Sequence, residues 1–105
     1  MNTSAYKVYE KILKYDNLVS KENIYKAYNI SQKAHSKQFR SSGEPYFTHP
    51  LAVANFLIDM KLDSSTIITA LLHDVVEDSD VTLEDIKNEF GVEIGKLVDG
   101  VTKLS

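Results

Sequence analysis

The stretch ALLHDVVEDSD, residues 70–80, decides how this chain is read. It continues an apolar run, Ile67, Ile68, Leu71, Leu72, Val75 and Val76, that suits a buried helix, yet it holds a His-Asp pair and then a Glu-Asp pair. On a helix from Ser64 to about Asp78, adjacent residues point about 100° apart. His73 and Asp74 can therefore clasp an ion lying between their directions. His73 lies one turn before Glu77, and Asp74 one turn before Asp78, so each pair shares a face. Burying uncompensated carboxylates costs several kcal/mol per ion, and a divalent cation offsets that cost. Imidazole with carboxylate suits Mn²⁺, Fe²⁺ or Zn²⁺ better than Ca²⁺ or Mg²⁺, which prefer all-oxygen shells. A plainer alternative ends the helix at Asp74 and leaves Glu77, Asp78 and Asp80 in a solvated turn, since such acids also occur in purely structural networks.

Outward from this stretch the chain reads as all-α, with about six helices. Ala5, Val8, Tyr9, Ile12 and Leu13 recur at helical spacing over Thr3 to Tyr15. Ser20 is the expected N-cap of a second helix carrying Ile24, Ala27, Tyr28 and Ala34 and ending near Phe39. The segment RSSGEPYFTHP, residues 40–50, is the one clear loop, punctuated by Gly43 and Pro45. A third helix is predicted to start near His49-Pro50, with Val53, Phe56, Leu57 and Met60 on its apolar side. Asp63 is the expected N-cap of the fourth helix, which is apolar over most of its circumference and so should be central. Thr82 with Asp85 forms an approximate capping box for a fifth, along which Leu83, Ile86 and Phe90 run to Gly91. A sixth is expected from Val92 to about Asp99, before the tail GVTKLS.

The 105 residues suffice for one small domain, and 43% hydrophobic with 26% charged residues is a globular composition. No apolar run approaches the ~20 residues of a membrane span, and the first residues lack a secretory signal pattern. With no cysteine there is no disulfide framework or thiolate metal site. A cytoplasmic location is expected from the absence of address signals. The net charge of −3 conceals an asymmetry: Lys7, Lys11, Lys14, Lys21, Lys26, Lys33, Lys37 and Arg40 crowd the first part, whereas acids crowd residues 73–99. The basic part could hold an anionic ligand, although solvated helix faces account for most of these charges. Nucleic-acid binding is not expected, because the lysines are interleaved with acids and the chain as a whole is acidic.

Two further places could carry chemistry. His49 precedes Pro50 in a loop able to fold back toward the fourth helix; on its own, a histidine there is ordinarily a capping or surface residue. Arg40 could stack on a base or pair with a phosphate, and Ser42 beside Gly43 offers a small hydrogen-bonding group, although a polar turn explains both. His35, among Lys33, Lys37 and Arg40, reads as ordinary.

Taken together, RSSGEPYFTHPLAVA (40–54), LLHDVVED (71–78) and LVDGVTKL (97–104) resemble the HD hydrolase domain of the RelA/SpoT family, which makes and degrades the alarmone (p)ppGpp in the stringent response. The similarity runs from about His35 to Leu104, with the order and spacing of all three segments kept. It implies an HD-domain-like bundle, with N-terminal helices over 1–34 and the HD core over 35–105. It implies a Mn²⁺ ion on His49, His73 and Asp74, hydrolytic roles for Glu77 and Asp78, and nucleotide contacts by Arg40 and Ser42. The implied reaction removes pyrophosphate from the 3′ position of (p)ppGpp to give GDP or GTP. Ser41 departs from the family, which is often basic there.

The resemblance further implies a metal-binding aspartate and nucleotide contacts from helices beyond Ser105. The domain is thus expected to be C-terminally incomplete, with weaker metal binding and weak or no hydrolysis by this chain alone. The third and fourth helices are expected to expose apolar surface that invites self-association. The alternative to an enzyme is an inactive HD remnant that holds metal, nucleotide or a partner helix without turnover.

Overall fold

A computed structural model describes residues 3–104, and all its regular elements are helices: α1 (Thr3–Leu13), α2 (Lys21–Ala34), α3 (Thr48–Asp59), α4 (Ser64–Leu72), α5 (Val75–Asp78), α6 (Leu83–Phe90) and α7 (Val92–Leu104). The all-α class matches the sequence reading, with one helix more than expected.

The central helix is α4. Ile67 through Leu72 are all buried along it, and it packs against α2, α3 and α7. Asp63 caps its start, accepting from the Thr66 N–H. The expected continuation to Asp78 is interrupted at His73-Asp74. The His73 ring lies 2.6 Å from the Ala70 carbonyl, the acceptor that a continuing helix would offer to the Asp74 N–H. Past the interruption, Asp78 N–H bonds the Asp74 carbonyl at 3.0 Å and closes α5.

Around α4, α1 buries Ala5, Val8 and Ile12, while Leu13 is exposed. Ser20 caps α2 by accepting from the Asn23 N–H at 3.1 Å. The α2 helix ends at Ala34 rather than near Phe39. There the chain turns and forms a small clasp: Phe39 bridges Pro45, Arg40 N–H bonds the Glu44 carbonyl, and Tyr46 N–H bonds the Gln38 carbonyl, each at 2.8 Å. Gly43 sits at the clasp's tip with φ 91°, a conformation that favours glycine.

The buried side of α3 is Pro50, Ala54 and Ile58, not the expected stripe. Phe56 is 64% and Met60 56% exposed. The helix is apolar nearly all round, so periodicity alone could not choose its inner face. Its end is a Schellman motif, with Lys61 N–H to the Ile58 carbonyl and Leu62 N–H to the Leu57 carbonyl; Lys61 holds φ 57°. The Thr82–Asp85 capping box of α6 is complete. The α7 helix runs past Asp99 to Leu104, with Thr102 Oγ1 donating to the Val98 carbonyl at 2.8 Å.

Exposed apolar surface includes Phe56 on α3 and Leu97, Val101 and Leu104 on α7. The expectation that α4 would share in it is overturned by its burial along Ile67–Leu72. Among the described residues, no helix is long and apolar enough to cross a membrane.

Candidate metal centre

Three ligand-bearing side chains converge where α3 begins and α4 ends. His49 lies in the first turn of α3, and His73 and Asp74 form the interruption between α4 and α5. One ligand atom from each lies within 4.8 Å of the other two. This is the only such metal-ready group of three or more found among the described residues. The His49 and His73 rings stand 6.0 Å apart, centroid to centroid. The break in the helix matters here: it turns two consecutive side chains toward the start of another helix.

The donor set fits a divalent cation. His73 Nδ1 faces the Ala70 carbonyl at 2.6 Å, so that nitrogen carries the proton and Nε2 presents its lone pair. That Nε2 lies 3.1 Å from Asp74 Oδ2. A lone pair facing a carboxylate oxygen at this distance repels it, unless positive charge sits between them, as a second proton or as an ion. Two imidazoles with one carboxylate suit a first-row divalent metal.

A second set of side chains surrounds the Asp74 carboxylate. Tyr46, at the end of the clasp, donates from Oη to Asp74 Oδ2 at 2.6 Å. This hydrogen bond, followed by burial, pushes the phenol up to about 12. Asp78 adds to that upward pressure and Arg40 opposes it, so both charges act within reach of the phenol. Behind Tyr46 lies His35, 1% exposed, its ring centroid 4.7 Å away. His35 Nδ1 bonds Gln38 Oε1 at 2.8 Å, and Gln38 Nε2 donates to Asp78 Oδ2 at 3.3 Å.

The residues singled out in the sequence thus divide. His49, His73 and Asp74 meet in one group. Asp78 lies beside it through Gln38, its side chain 27% exposed. Arg40 and Ser42 sit exposed on the clasp. Glu77 is exposed and outside the ligand group. The sequence reading passed over Tyr46 and Gln38 and took His35 as ordinary. A signal for His35 existed: it extends the buried series Ile24, Ala27, Tyr28, Ser31 by one more turn.

Two depressions involve residues of this region. One, of about 670 Å³, is lined by residues including Lys33, Asp78 and Asp80. The other, of about 280 Å³, lies between α3, α4 and α7, with His73 in its wall beside Val53, Leu57 and Val101.

Comparison with known proteins agrees with this geometry. A family model described as an HD domain matches residues 27–105. A probable GTP pyrophosphokinase of Mycobacterium leprae is 53% identical over 81 residues, covering 77% of this chain and 10% of that protein. The GTP pyrophosphokinase rsh of Brucella ovis is 48% identical over 99 residues, covering 94% of this chain and 13% of that protein. A guanosine-3′,5′-bis(diphosphate) 3′-pyrophosphohydrolase of Vibrio cholerae is 53% identical over 83 residues, covering 79% of this chain and 12% of that protein. The chain therefore spans only about a tenth of the length of these relatives. The converging histidines and aspartate, the matched model and these likenesses lead to one conclusion: the chain belongs to the HD domain family, as an HD domain of the RelA/SpoT type.

Proposed function

We propose that this chain carries a Mn²⁺-dependent centre that hydrolyses guanosine 3′,5′-bis(diphosphate) and its pentaphosphate form in the cytoplasm, releasing pyrophosphate from the 3′ position to give GDP or GTP as part of the stringent response. The observation that carries the reading is the convergence of His49, His73 and Asp74 within 4.8 Å of one another. The pyrophosphohydrolase name of the Vibrio relative supports the choice of substrate.

His49, His73 and Asp74 would hold the ion, which when bound lowers the pKa of its water and polarises a phosphoryl oxygen. Asp78, which accepts a hydrogen bond from the Gln38 amide, would take the proton of an attacking water. Glu77, one residue earlier and exposed, is the other acid suited to orient that water. Arg40 would pack its flat guanidinium on the guanine base, with Ser42 giving a hydrogen bond nearby. Lys33, beside Asp78 in the larger depression, and the other basic residues of α1 and α2 would draw in the highly anionic substrate.

A second reading is a module that binds metal and nucleotide without turnover, favoured by a ligand group of only three side chains among the described residues. One experiment separates the two. Purified chain is incubated with ppGpp and Mn²⁺, with Asp74→Ala and Glu77→Ala in parallel. Pyrophosphate release that is lost in both variants supports the hydrolase. No release, with manganese held by the wild type and not by Asp74→Ala, supports the binding module.

A further inference from the structure

Asp74 sits in the break between two helices, and its side chain makes no cap hydrogen bond there. Its carboxylate faces His73 on one side. Among the described residues, the one donor from outside the ligand group that reaches it is the Tyr46 hydroxyl. That hydroxyl belongs to a residue fixed at both ends. Its backbone N–H is bonded to Gln38, and its ring lies between His35 at 4.7 Å and His49 at 5.9 Å.

We propose that Tyr46 is the positioning residue of this centre: seated on the buried ring of His35, it fixes the Asp74 carboxylate before any ion arrives. The proposal rests on reading His49, His73 and Asp74 as metal ligands.

The placement of His35 argues for a built support rather than ordinary core filling. Its Nε2 is buried with no hydrogen-bond partner, a desolvation cost that a phenylalanine would avoid. A phenylalanine could carry the Tyr46 ring, but it could not bond Gln38. The imidazole does both: it packs against the Tyr46 ring at a 43° tilt, and it turns the Gln38 amide so that the NH₂ points to Asp78. One buried ring thereby stands behind both acids, through Tyr46 to Asp74 and through Gln38 to Asp78. The bond at 2.6 Å from a neutral hydroxyl to a carboxylate is of the short, charge-assisted kind. It leaves the remaining lone pairs of Asp74 free for a cation, as the partners of metal-binding carboxylates characteristically do.

The test is a calorimetric titration of Mn²⁺ alone into wild type, Tyr46→Phe, His35→Gln and the double variant, with thermal midpoints measured without metal. Tyr46→Phe keeps the ring and removes one oxygen. It should weaken Mn²⁺ binding by the folded protein about 10–100-fold, beyond whatever fall in the metal-free midpoint follows from losing the bond to Asp74. A merely structural tyrosine would lower the midpoint and leave the affinity of the folded protein unchanged; equal affinity in Tyr46→Phe and wild type overturns the proposal. His35→Gln should weaken binding by a smaller factor, with no further loss in the double variant. Losses that simply add would overturn the role of His35 as a support acting through Tyr46. If Tyr46→Phe does not fold, the wild type still decides, with Zn²⁺ as a diamagnetic probe in NMR. The Tyr46 ring signals should then shift with the same half-saturation as those of His73, and unmoved Tyr46 signals overturn the proposal. A wild type that binds neither ion overturns the ligand assignment itself, and the proposal with it. That outcome is distinct from binding that ignores the phenol.

Discussion

The Asp63 carboxylate accepts a hydrogen bond from the Thr66 N–H at 2.9 Å, closing the first turn of the helix whose far end carries His73 and Asp74. The Thr66 hydroxyl and N–H together hold the Asp63 carboxyl below its ordinary value of 3.8. Asp63→Ala should cost about 1 kcal/mol of stability. The sign of the pH effect follows from the lowered value. The stabilisation is complete above 3.8, the ordinary unfolded value, and is lost as pH falls through the lower folded one. Chemical unfolding of wild type and Asp63→Asn from pH 6 downward checks this: the gap between the two curves should close in acid. A gap that stays constant would show that the charge of the cap contributes nothing.

Metal should stabilise the fold itself, because the approach of His73 Nε2 to Asp74 Oδ2 at 3.1 Å calls for positive charge between them. Mn²⁺ at about 100 times its dissociation constant should add about 2.7 kcal/mol to stability, a rise of several degrees in the midpoint for a domain of this size. Asp74→Ala should abolish the rise. Differential scanning fluorimetry with and without Mn²⁺ checks both statements, and a midpoint indifferent to the metal would count against the ligand group.

In the metal-free protein, Tyr46 should ionise late. The phenol is pushed up to about 12, chiefly by its hydrogen bond to Asp74. Its stabilising contribution is therefore intact below pH 10 and lost as pH rises through about 12. The ring resonances of Tyr46, followed by NMR in alkali, should titrate near the upper value. A midpoint at the ordinary phenol value would mean that the bond to Asp74 is not made in solution.

Lys61 holds φ 57° at the end of α3, in the left-handed region where a β-carbon costs roughly 1–2 kcal/mol. Glycine removes that cost but gives back part of it, because its unfolded chain is freer. Lys61→Gly should therefore stabilise the protein by roughly 0.5–1 kcal/mol, measured by urea unfolding. Destabilisation would show that the lysine side chain contributes more than its backbone strain removes.

Much of this was legible in the sequence. The caps Ser20, Asp63 and Thr82 announced their helices because capping is local chemistry, settled within three residues. The central place of α4 followed from apolar residues on nearly every side. The same property hid the inner face of α3, where Phe56 and Met60 were as plausible inside as Ala54 and Ile58. The break at His73-Asp74 was legible only as the alternative that ends the helix at Asp74; its cause was not, because a side chain competing for a backbone acceptor leaves the spacing of apolar residues intact. The family resemblance pointed to His49, His73 and Asp74 as a set, and the structure brings these three together. Tyr46 and Gln38 escaped notice because their partners lie on α5 or at its start, and only the folded clasp carries them there.

The clasp from Gln38 to Tyr46 also bears on kinetics. Its cross-links at Arg40–Glu44 and Gln38–Tyr46 mean that this lip of the molecule is shaped during folding rather than on capture of a guest. No slow ordering step should then precede docking, and the rate at which an anion settles beside Arg40 should follow diffusion and ionic strength, like a ball rolling into a finished cup.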